Sequence, residues 1–221
     1  MKPVKISVVT ATYNCADTLP DCFDSVSAQT YPYREHIVVD GLSQDGTIDV
    51  IKKHMDQIDI FKSETDTGIY DALNKGFALT SGDIVGILHA GDTFYDPYVL
   101  ENIASAFTDS GLDYVYGDIQ MTQSSGRVVR HWKTGELVGG KIKNCQIPHP
   151  SLFLSRRLIE RLIPPFDSSY RISADLKQQL IFTNTLRAKG LYLPKPLISM
   201  VVGGTSTASL SAYIDGWKES R

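Results

Sequence analysis

The stretch that decides the fold runs over residues 63–92 and reads SETDTGIYDALNKGFALTSGDIVGILHAGD. Apolar residues recur in its first part at the spacing of one helix face. That face is traced by Ile69, Leu73, Phe77 and Leu79 or Thr80. The second part is a short apolar run typical of a buried strand, and it ends in a polar loop that holds His89, Gly91 and Asp92. We therefore expect a helix, then a buried strand, with Asp92 near the strand's carboxyl end.

The same alternation of strand and helix extends toward the amino terminus. The predicted strands are KISVVTAT (5–12), EHIVVD (35–40) and IDIFKSE (58–64), and the predicted helices lie in DTLPDCFDSVSAQTY (17–31) and IDVIKKHMDQ (48–57). Ser43, Asp45 and Thr47 are available to cap free amides at the start of the second helix. Strands that alternate with helices at this pace favour a mostly parallel, doubly wound sheet flanked by helices, which is an α/β fold.

After residue 98 the pattern changes. A helix is predicted in YVLENIASAFTDS (98–110), two strands joined near residues 124–126, a strand and short helix in 150–167, an amphipathic helix from 173 ending at Gly190, and late strands from 191. The paired strands indicate a small antiparallel extension of the sheet. We expect a single domain over residues 1–221, in which residues 1–98 bind a nucleotide and residues 99–221 receive a second substrate.

Composition excludes several classes of protein. With 42% hydrophobic residues and a formal net charge of −3, the chain is an ordinary globular protein without the basic surface that binds nucleic acid. Three cysteines, none in a C-x-x-C pair, argue against a disulfide framework and against a zinc site, and they fit a reducing compartment. Apolar runs fall short of the roughly 20 residues that cross a bilayer. The start shows no signal-peptide cleavage site, so we expect a cytoplasmic location.

Two features near the carboxyl terminus leave alternatives open. The segment SRRLIERLIPP (155–165) could rest on a membrane with Arg156, Arg157 and Arg161 near anionic headgroups, or it could be a plain surface helix. The sequence ends abruptly at DGWKESR, so it leaves open whether the natural protein continues past Arg221.

Polar side chains fall at or just past the predicted strand ends. They are Thr10, Thr12, Asn14, Asp40, Glu64, Asp66 and Asp92. In parallel sheets the carboxyl ends of the strands share one edge, and ligands bind in the crevice outside that edge. The sequence therefore predicts a binding site there.

Taken singly, the donor-side candidates have two interpretations each. Asp40 could accept hydrogen bonds from a ribose hydroxyl or a base, or it could be a turn former. No G-x-G-x-x-G follows the first strand, which disfavours a nicotinamide cofactor. Lys75 could meet a phosphate at the start of the helix that follows Asp66, or it could pair with Asp71 on a solvated helix face.

The remaining candidates concern metal binding and proton transfer. Asp92 could supply one hard oxygen ligand to Mg²⁺ or Mn²⁺, with His89 acceptable to Mn²⁺, or it could be a turn aspartate. Asp175 lies near the start of a helix, where a carboxylate can act as general base or stabilise the helix dipole. His149, between two prolines, could shape a sugar or phosphate site or be structural.

The order of these motifs resembles the family 2 glycosyltransferases with the GT-A fold, over residues 5 to about 206. The resemblance is carried by ISVVTATYN, HIVVDGLSQDGT, SETDTGIYDALNKGFALTSGDIVGILHAGD, IPHPSLF and ISADLKQQL. It is nearest to the bacterial branch typified by colanic-acid and O-antigen glycosyltransferases, in which D-G-I-Y-D-A-x-N-K-G precedes a strand and a DxD-type loop. The implied fold is GT-A, a Rossmann-like sheet flanked by helices.

The resemblance also implies roles for individual residues. Thr10, Ala11, Tyr13 and Asn14 match the loop that holds the nucleoside, Asp40 the acid at the base, and Asp66 the acid beside the donor; Lys75 lies in the same matching block. Asp92 matches the last acid of the DxD-type loop, which contacts Mn²⁺ or Mg²⁺, and Asp175 matches the catalytic base. His149 and the GGTS at 203–206 match looser motifs.

The implied activity is an inverting transfer of a sugar from a nucleotide-diphosphate donor, expected to be a UDP-sugar, to a hydroxyl. The acceptor would be a glycan or polyprenyl-diphosphate-linked glycan of bacterial surface polysaccharide synthesis, at the inner face of the cell membrane. The chain departs from the family pattern at Gly91, where many relatives have a second acid, at His89, and at Ala174.

Two other functions remain as alternatives from the sequence. A sugar nucleotidyltransferase would need a glycine-rich basic loop after the first strand, and TATYNCAD lacks one. A sugar-nucleotide-binding module with weakened catalysis would be consistent with the missing acid at Gly91.

Overall fold

The structure is a computed structural model that describes residues 3–108, 111–142 and 147–202. Its strands are β1 (Ile6–Thr12), β2 (Arg34–Asp40), β3 (Ile60–Ser63), β4 (Ile84–Ile87), β5 (Asp92–Phe94), β6 (Tyr114–Thr122), β7 (Val128–Trp132), β8 (Leu152–Ser155) and β9 (Gly190–Val201). Its α-helices are α1 (Leu19–Ser27), α2 (Thr47–Lys53), α3 (Ile69–Leu79), α4 (Val99–Thr108), α5 (Arg156–Ile159) and α6 (Ala174–Leu180). The predicted GGTS motif at 203–206 and Cys145 lie outside these residues.

The strands of the described residues form one mixed sheet in the order β3-β2-β1-β4-β8-β6-β9-β5, with β7 paired to β6. Strands β1 to β4 are parallel to one another, as the sequence predicts. Strand β8 joins β4 in the antiparallel sense and carries the second half of the chain into the same sheet. The carboxyl ends of β1, β2, β3 and β4 therefore share one edge, and the loops that follow them lie beside each other.

Alternating apolar residues build a core on each face of the sheet. In β1, Val8 packs with α1, α2 and α4 on one face, whereas Val9 packs with α3, α5 and α6 on the other. Gly76 of α3 permits the close approach of that helix, because a Cβ there would lie 2.5 Å from Val9 Cγ1. The position of α3 against β1 and β2 sets where its amino-terminal residues meet the sheet edge.

Two boundaries differ from the sequence prediction. The last helix does not continue to Gly190: α6 ends at Leu180, a wider π-helical turn covers Ile181–Thr185, and Gly190 starts β9. Asp92 does not lie in an open loop, because it begins the three-residue strand β5, which pairs with β9. A strand this short has no periodicity for the sequence to show, and its partner is over 100 residues away in the chain.

No helix within the described residues combines the length and apolar character needed to cross a bilayer. The segment considered for membrane contact lies at the start of β4, at the sheet edge opposite the donor-side loops. Its Arg156 donates to Gly82 O and Thr80 Oγ1. Arg157 forms an ion pair with Asp113 at 2.6 Å. These two arginines thus have structural partners within the fold.

Candidate active site

Hydrogen bonds join the loops after β1 and β2. Asn14 has a φ of 47°, its amide donates to Ser43 Oγ (2.9 Å), and its side-chain oxygen accepts from Gln44 N (2.9 Å). The next two amides of the β1 loop donate to Thr47 Oγ1 and Asp45 Oδ2. Of the predicted caps, Asp45 accepts the Thr47 amide at the start of α2. Ser43 and Thr47 instead accept amides of the β1 loop. The two loops therefore form one rigid wall of the edge.

Asp40 closes β2 and is almost fully buried. Its Oδ1 accepts from Thr12 Oγ1 (3.0 Å) and Ser43 Oγ (2.5 Å), and its Oδ2 accepts from Ser43 N (3.0 Å) and Ser63 Oγ (2.9 Å). These bonds join the ends of β1, β2 and β3. Asp40 still lines the cleft at this edge, so it both holds the edge together and presents its carboxylate there.

The predicted first-strand residues do not all face the cleft. The Thr10 side chain is buried and lies 3.0 Å from His36 Nε2, so the structure does not support its predicted contact with a donor through that side chain. Alternation along β1 points it into the core, and the motif match could not show this. Ala11 is half-buried, and Tyr13 is 67% exposed.

Tyr13 and Asp66 meet across Gly41. A Cβ at Gly41 would lie 2.4 Å from Asp66 Oδ2 and 3.3 Å from the Tyr13 ring, so this close approach requires glycine. Asp66 Oδ1 accepts the Gly68 amide at 2.9 Å just before α3. An exposed aromatic ring beside a carboxylate gives a surface on which a planar base can stack and find a hydrogen-bond acceptor.

The cleft itself is lined by carboxylates and lysines at the ends of β2 and β3. It includes Asp40, Lys62, Glu64, Asp66 and Lys75. Lys75 forms an ion pair with Asp71 at 3.1 Å, four residues back on α3, and donates to Thr65 O at 2.6 Å. The pairing predicted as the alternative for Lys75 is therefore present, and a phosphate would have to compete with it.

Asp92 is a buried carboxylate that begins β5 at this edge. It is 6% exposed, and the described residues supply its side chain with neither a hydrogen bond nor an ion pair. Burial raises its pKa to about 7. A charged group that is buried and unpaired destabilises the folded state, and such a group persists where a ligand completes it.

Gly91, where the family resemblance leads us to expect a second acid, has a φ of +92°. A side chain there would be strained, although space is available, since the nearest atom to an added Cβ is Thr18 Cβ at 3.5 Å. The loop therefore reaches Asp92 by a backbone conformation that favours glycine, which gives a physical reason for the missing acid.

Two histidines lie beside this loop. His89 and His149 have ring centroids 5.6 Å apart, and His149 packs edge-on against Phe166. Burial lowers the pKa of His89 to about 3 and that of His149 to about 4, so both are neutral. Both ring nitrogens of His149 lack a hydrogen-bond partner among the described residues. Neutral imidazoles can bind a metal ion or hydrogen-bond to a hydroxyl.

Asp175 lies in the first turn of α6, close enough to His89 for an electrostatic interaction. Burial raises its pKa, and the hydrogen bond from Tyr70 opposes that shift. Tyr70 Oη is 3.2 Å from Asp175 Oδ1 and also donates to the Ile172 carbonyl. The carboxylate predicted as a general base is thus brought from the second half of the chain to the histidines and the Asp92 loop.

The residues at this edge fit a divalent ion in part. In the portion of the chain that the structure describes, no three His, Cys, Asp or Glu side chains converge as a ready-made metal site. The unpaired Asp92 carboxylate nevertheless matches a hard cation that takes one protein oxygen and completes its shell with phosphate oxygens and water. Asp92, with His89 nearby, would hold such an ion.

Sequence reasoning missed two parts of the site. Tyr70 stands inside the motif that carried the resemblance, but the helix face predicted from apolar spacing includes Ile69 and not Tyr70, whereas the structure buries Tyr70 and exposes Ile69. Ser43 and Ser63 secure Asp40 from two loops, and serine in a loop gives no signal for this. Only contacts across the fold reveal these roles.

The site combines a cleft lined by carboxylates and lysines, a buried carboxylate without a partner among the described residues, and a second carboxylate from the other half of an α/β fold. Residues 7–174 match the family described as Glycosyl transferase family 2, and the chain belongs to that family. The family predicted from the motifs is confirmed. The particular polysaccharide branch stays a prediction.

One relative is the PGL/p-HBAD biosynthesis glycosyltransferase of Mycobacterium bovis (strain BCG / Pasteur 1173P2). It is 32% identical over 173 residues, which cover 76% of this chain and 66% of that protein. The chain therefore spans just under two thirds of the length of this curated relative.

Solved structures share the fold. The mannosyltransferase PcManGT from Pyrobaculum calidifontis, in complex with GDP-Man and Mn²⁺, has a TM-score of 0.73 at 18% identity, covering 98% of this chain and 64% of that one. S. aureus TarS 1-349 in complex with UDP has a TM-score of 0.69 at 21% identity, covering 90% and 60%. These similarities confirm the predicted GT-A fold class.

Proposed function

We propose that this protein transfers a sugar from a nucleotide-diphosphate donor to an acceptor hydroxyl with inversion at the anomeric carbon. The observation that carries the proposal is Asp92, a buried carboxylate to which the described residues give no hydrogen bond or ion pair, at the edge where the donor-side loops meet. Asp175, from the second half of the chain, lies within electrostatic range of His89 in the loop before Asp92. Family membership supports the reaction class.

The nucleoside would occupy the cleft between the β1 and β2 loops and the start of α3. Tyr13 offers a ring for stacking, and Asp66 offers a hydrogen-bond acceptor to the base or ribose. Asp40 and Asn14, whose oxygens already accept bonds from neighbouring loops, would shape the wall of the cleft against the nucleoside. Lys75 and the amides at the start of α3 are the positive groups nearest to a diphosphate. This assigns the donor to residues 1–98 and leaves the acceptor to residues 99–221.

The chemistry needs one base and no protein nucleophile. The acceptor oxygen attacks the anomeric carbon, the bond from that carbon to the donor phosphate oxygen breaks, and Asp175 takes the hydroxyl proton. Hydrogen bonds from the Leu176 amide and from Tyr70 oppose the effect of burial on the Asp175 pKa and favour the ionised carboxylate that this step requires. A divalent ion held by Asp92, when bound, supplies positive charge that stabilises the departing diphosphate.

We propose a UDP-sugar as donor and a glycan or polyprenyl-diphosphate-linked glycan of bacterial surface polysaccharide synthesis as acceptor, with action at the inner face of the membrane. Of the similar structures, TarS is in complex with UDP and UDP-GlcNAc, and PcManGT with GDP-Man and Mn²⁺. His149, whose buried ring nitrogens have no partner in the described chain, would shape the site on the side of the sugar.

The test begins with binding. Thermal unfolding is measured with UDP, GDP and dTDP sugars, each with and without Mn²⁺, because a ligand that binds the folded state raises its apparent stability. The donor that stabilises most is then used in a transfer assay. We expect a UDP-sugar with Mn²⁺ to stabilise the wild type and Asp175→Asn alike, and Asp92→Asn to lose the part that depends on Mn²⁺.

Turnover separates transfer from binding alone. We expect Asp92→Asn and Asp175→Asn each to lose transfer by at least about a hundredfold, while the exposed carboxylate variant Asp56→Asn keeps it. Donor binding without hydrolysis or transfer in the wild type would instead identify a binding module. Wild-type turnover in Asp175→Asn would remove that residue from the role of base.

A further inference from the structure

The helix that carries the donor-side loop also contacts the proposed base. Tyr70 is in the first turn of α3, two residues after Gly68, whose amide is bound by Asp66. Its hydroxyl crosses to the segment before α6, where it donates to the Ile172 carbonyl and lies 3.2 Å from Asp175 Oδ1. One side chain therefore connects the two halves of the site over 105 residues of sequence.

The Tyr70 side chain is held firmly in this position. It is 8% exposed, and its ring stacks on Phe166 with centroids 5.7 Å apart and an interplanar angle of 25°. Burial, followed by the charge of Asp175, raises its pKa, so the hydroxyl keeps its proton and acts as a donor. Its one proton is shared between two acceptors, the Ile172 carbonyl and Asp175 Oδ1, so the hydroxyl links the backbone before α6 to the carboxylate and limits the rotation of that carboxylate.

A second contact between the same helix and the same segment has a different character. Asn74, one turn further along α3, donates to the Phe166 carbonyl (2.8 Å) and accepts from the Phe166 amide (2.9 Å). These bonds attach the segment to the helix, so Tyr70 is not required merely to attach it. Of Tyr70 and Asn74, it is Tyr70 that donates a hydrogen bond to the Asp175 carboxylate, whereas Asn74 bonds to the Phe166 backbone.

We propose that Tyr70 is a positioning residue for the transfer reaction: its hydroxyl orients the Asp175 carboxylate relative to the donor bound at the start of α3. Tyr70 neither accepts nor loses a proton, because the acceptor proton goes to Asp175. The inference rests on the proposed function, since it assumes that Asp175 is the base.

The consequence is a loss of rate without a loss of donor affinity. We expect Tyr70→Phe, which keeps the ring stacking, to lower kcat about 10–100-fold, because misplacing a catalytic group by about an ångström has effects of that size. The donor KM should stay within about threefold, since the hydroxyl is bonded to the segment before α6 and not to the donor-side loops. Two controls are matched: Tyr31→Phe removes another tyrosine hydroxyl bond, to Val4 O, and Asn74→Ala loosens the same segment.

A double-mutant cycle tests whether Tyr70 acts through Asp175. Asp175→Glu keeps a carboxylate but moves it by one methylene, which breaks the geometry with Tyr70 Oη. We expect Tyr70→Phe to cost less than about threefold in that background, because coupled residues are not additive. Equal losses of kcat in both backgrounds, or a loss in Asn74→Ala as large as in Tyr70→Phe, would show a purely structural role and overturn the inference.

The two proposals fail differently. If Asp175→Asn is inactive but Tyr70→Phe retains the wild-type kcat, the positioning role is wrong and the proposed function stands. If Asp175→Asn retains wild-type turnover, the assignment of the base is wrong and the role of Tyr70 falls with it. Thermal unfolding of each variant verifies that the protein compared is folded.

Discussion

Replacing Asp92 by asparagine should stabilise the metal-free protein at high pH. The carboxylate is 6% exposed, and its burial raises the pKa from 3.8 to about 7. A shift of about three units corresponds to about 4 kcal/mol of unfavourable free energy in the ionised state. Asparagine carries no charge, although its buried amide would lack partners at a cost of about 1–3 kcal/mol. The net gain at about pH 8 is therefore about 1–3 kcal/mol.

The dependence on pH isolates the carboxylate. Because the folded-state pKa is raised, the folded protein binds more protons than the unfolded one between pH 3.8 and about 7, and stability falls as pH rises through that window. The loss between about pH 5 and pH 8 should be about 2–3 kcal/mol greater in the wild type than in Asp92→Asn. The difference between the two proteins cancels the titration of other groups.

The assay is urea unfolding of both proteins in EDTA at several pH values, with Asp118→Asn as control. Asp118 is as buried as Asp92 but accepts from Thr134 N (2.8 Å) and Tyr192 Oη (2.7 Å), so its replacement should destabilise the protein. Parallel stability curves for wild type and Asp92→Asn would refute the reasoning that Asp92 is an unpaired, desolvated charge. Without EDTA, adding Mn²⁺ to the donor-bound proteins should stabilise the wild type further and leave Asp92→Asn unchanged.

Further predictions concern the fold around the site. Gly91→Ala should cost about 1–2 kcal/mol by urea unfolding because the φ of +92° strains a side chain; an unchanged midpoint would contradict this. Gly76→Ala should destabilise by about 1–3 kcal/mol, since its Cβ would lie 2.5 Å from Val9 Cγ1, whereas a net gain in unfolding free energy would show that α3 can shift. Burial lowers the pKa of His36 from 6.5 to about 4, so its contribution to stability is present above pH 6.5 and is lost as pH falls toward 4. Between about pH 6.5 and pH 5 the unfolding free energy of the wild type should fall by about 2 kcal/mol more than that of His36→Gln. Equal decreases in the two proteins would contradict this prediction.

Much of the fold follows from local patterns. The strands β1 to β4 and the helices α1 and α3 have the bounds expected from their periodicity, within a few residues. Alternation along β1 also explains why Val8 and Val9 enter different cores. Local sequence patterns could not predict β5, because a strand of three residues is defined only by its pairing with the distant strand β9.

The sequence predicts which residues lie at the site, whereas the packing of the loops determines their hydrogen bonds. The sequence places Asn14, Asp40, Asp66 and Asp92 near the ends of parallel strands, and parallel strands share an edge. It cannot show that Asp40 carries four internal hydrogen bonds, or that Asp92 has none within the described chain. Aspartate is hydrogen-bonded through both oxygens at position 40 and has no such bond among the described residues at position 92, because the donors at position 40 come in part from segments that are distant in sequence.

The sequence by itself determined the alternation of strands and helices, the family of the chain and the row of carboxylates at one edge. Those features depend on residue type and local spacing. The tertiary structure decided the burial of Thr10, the conformation that excludes an acid at Gly91 and the contact between Tyr70 and Asp175. Each of these depends on distances between segments far apart in the chain, which are set only when the helices pack on the sheet.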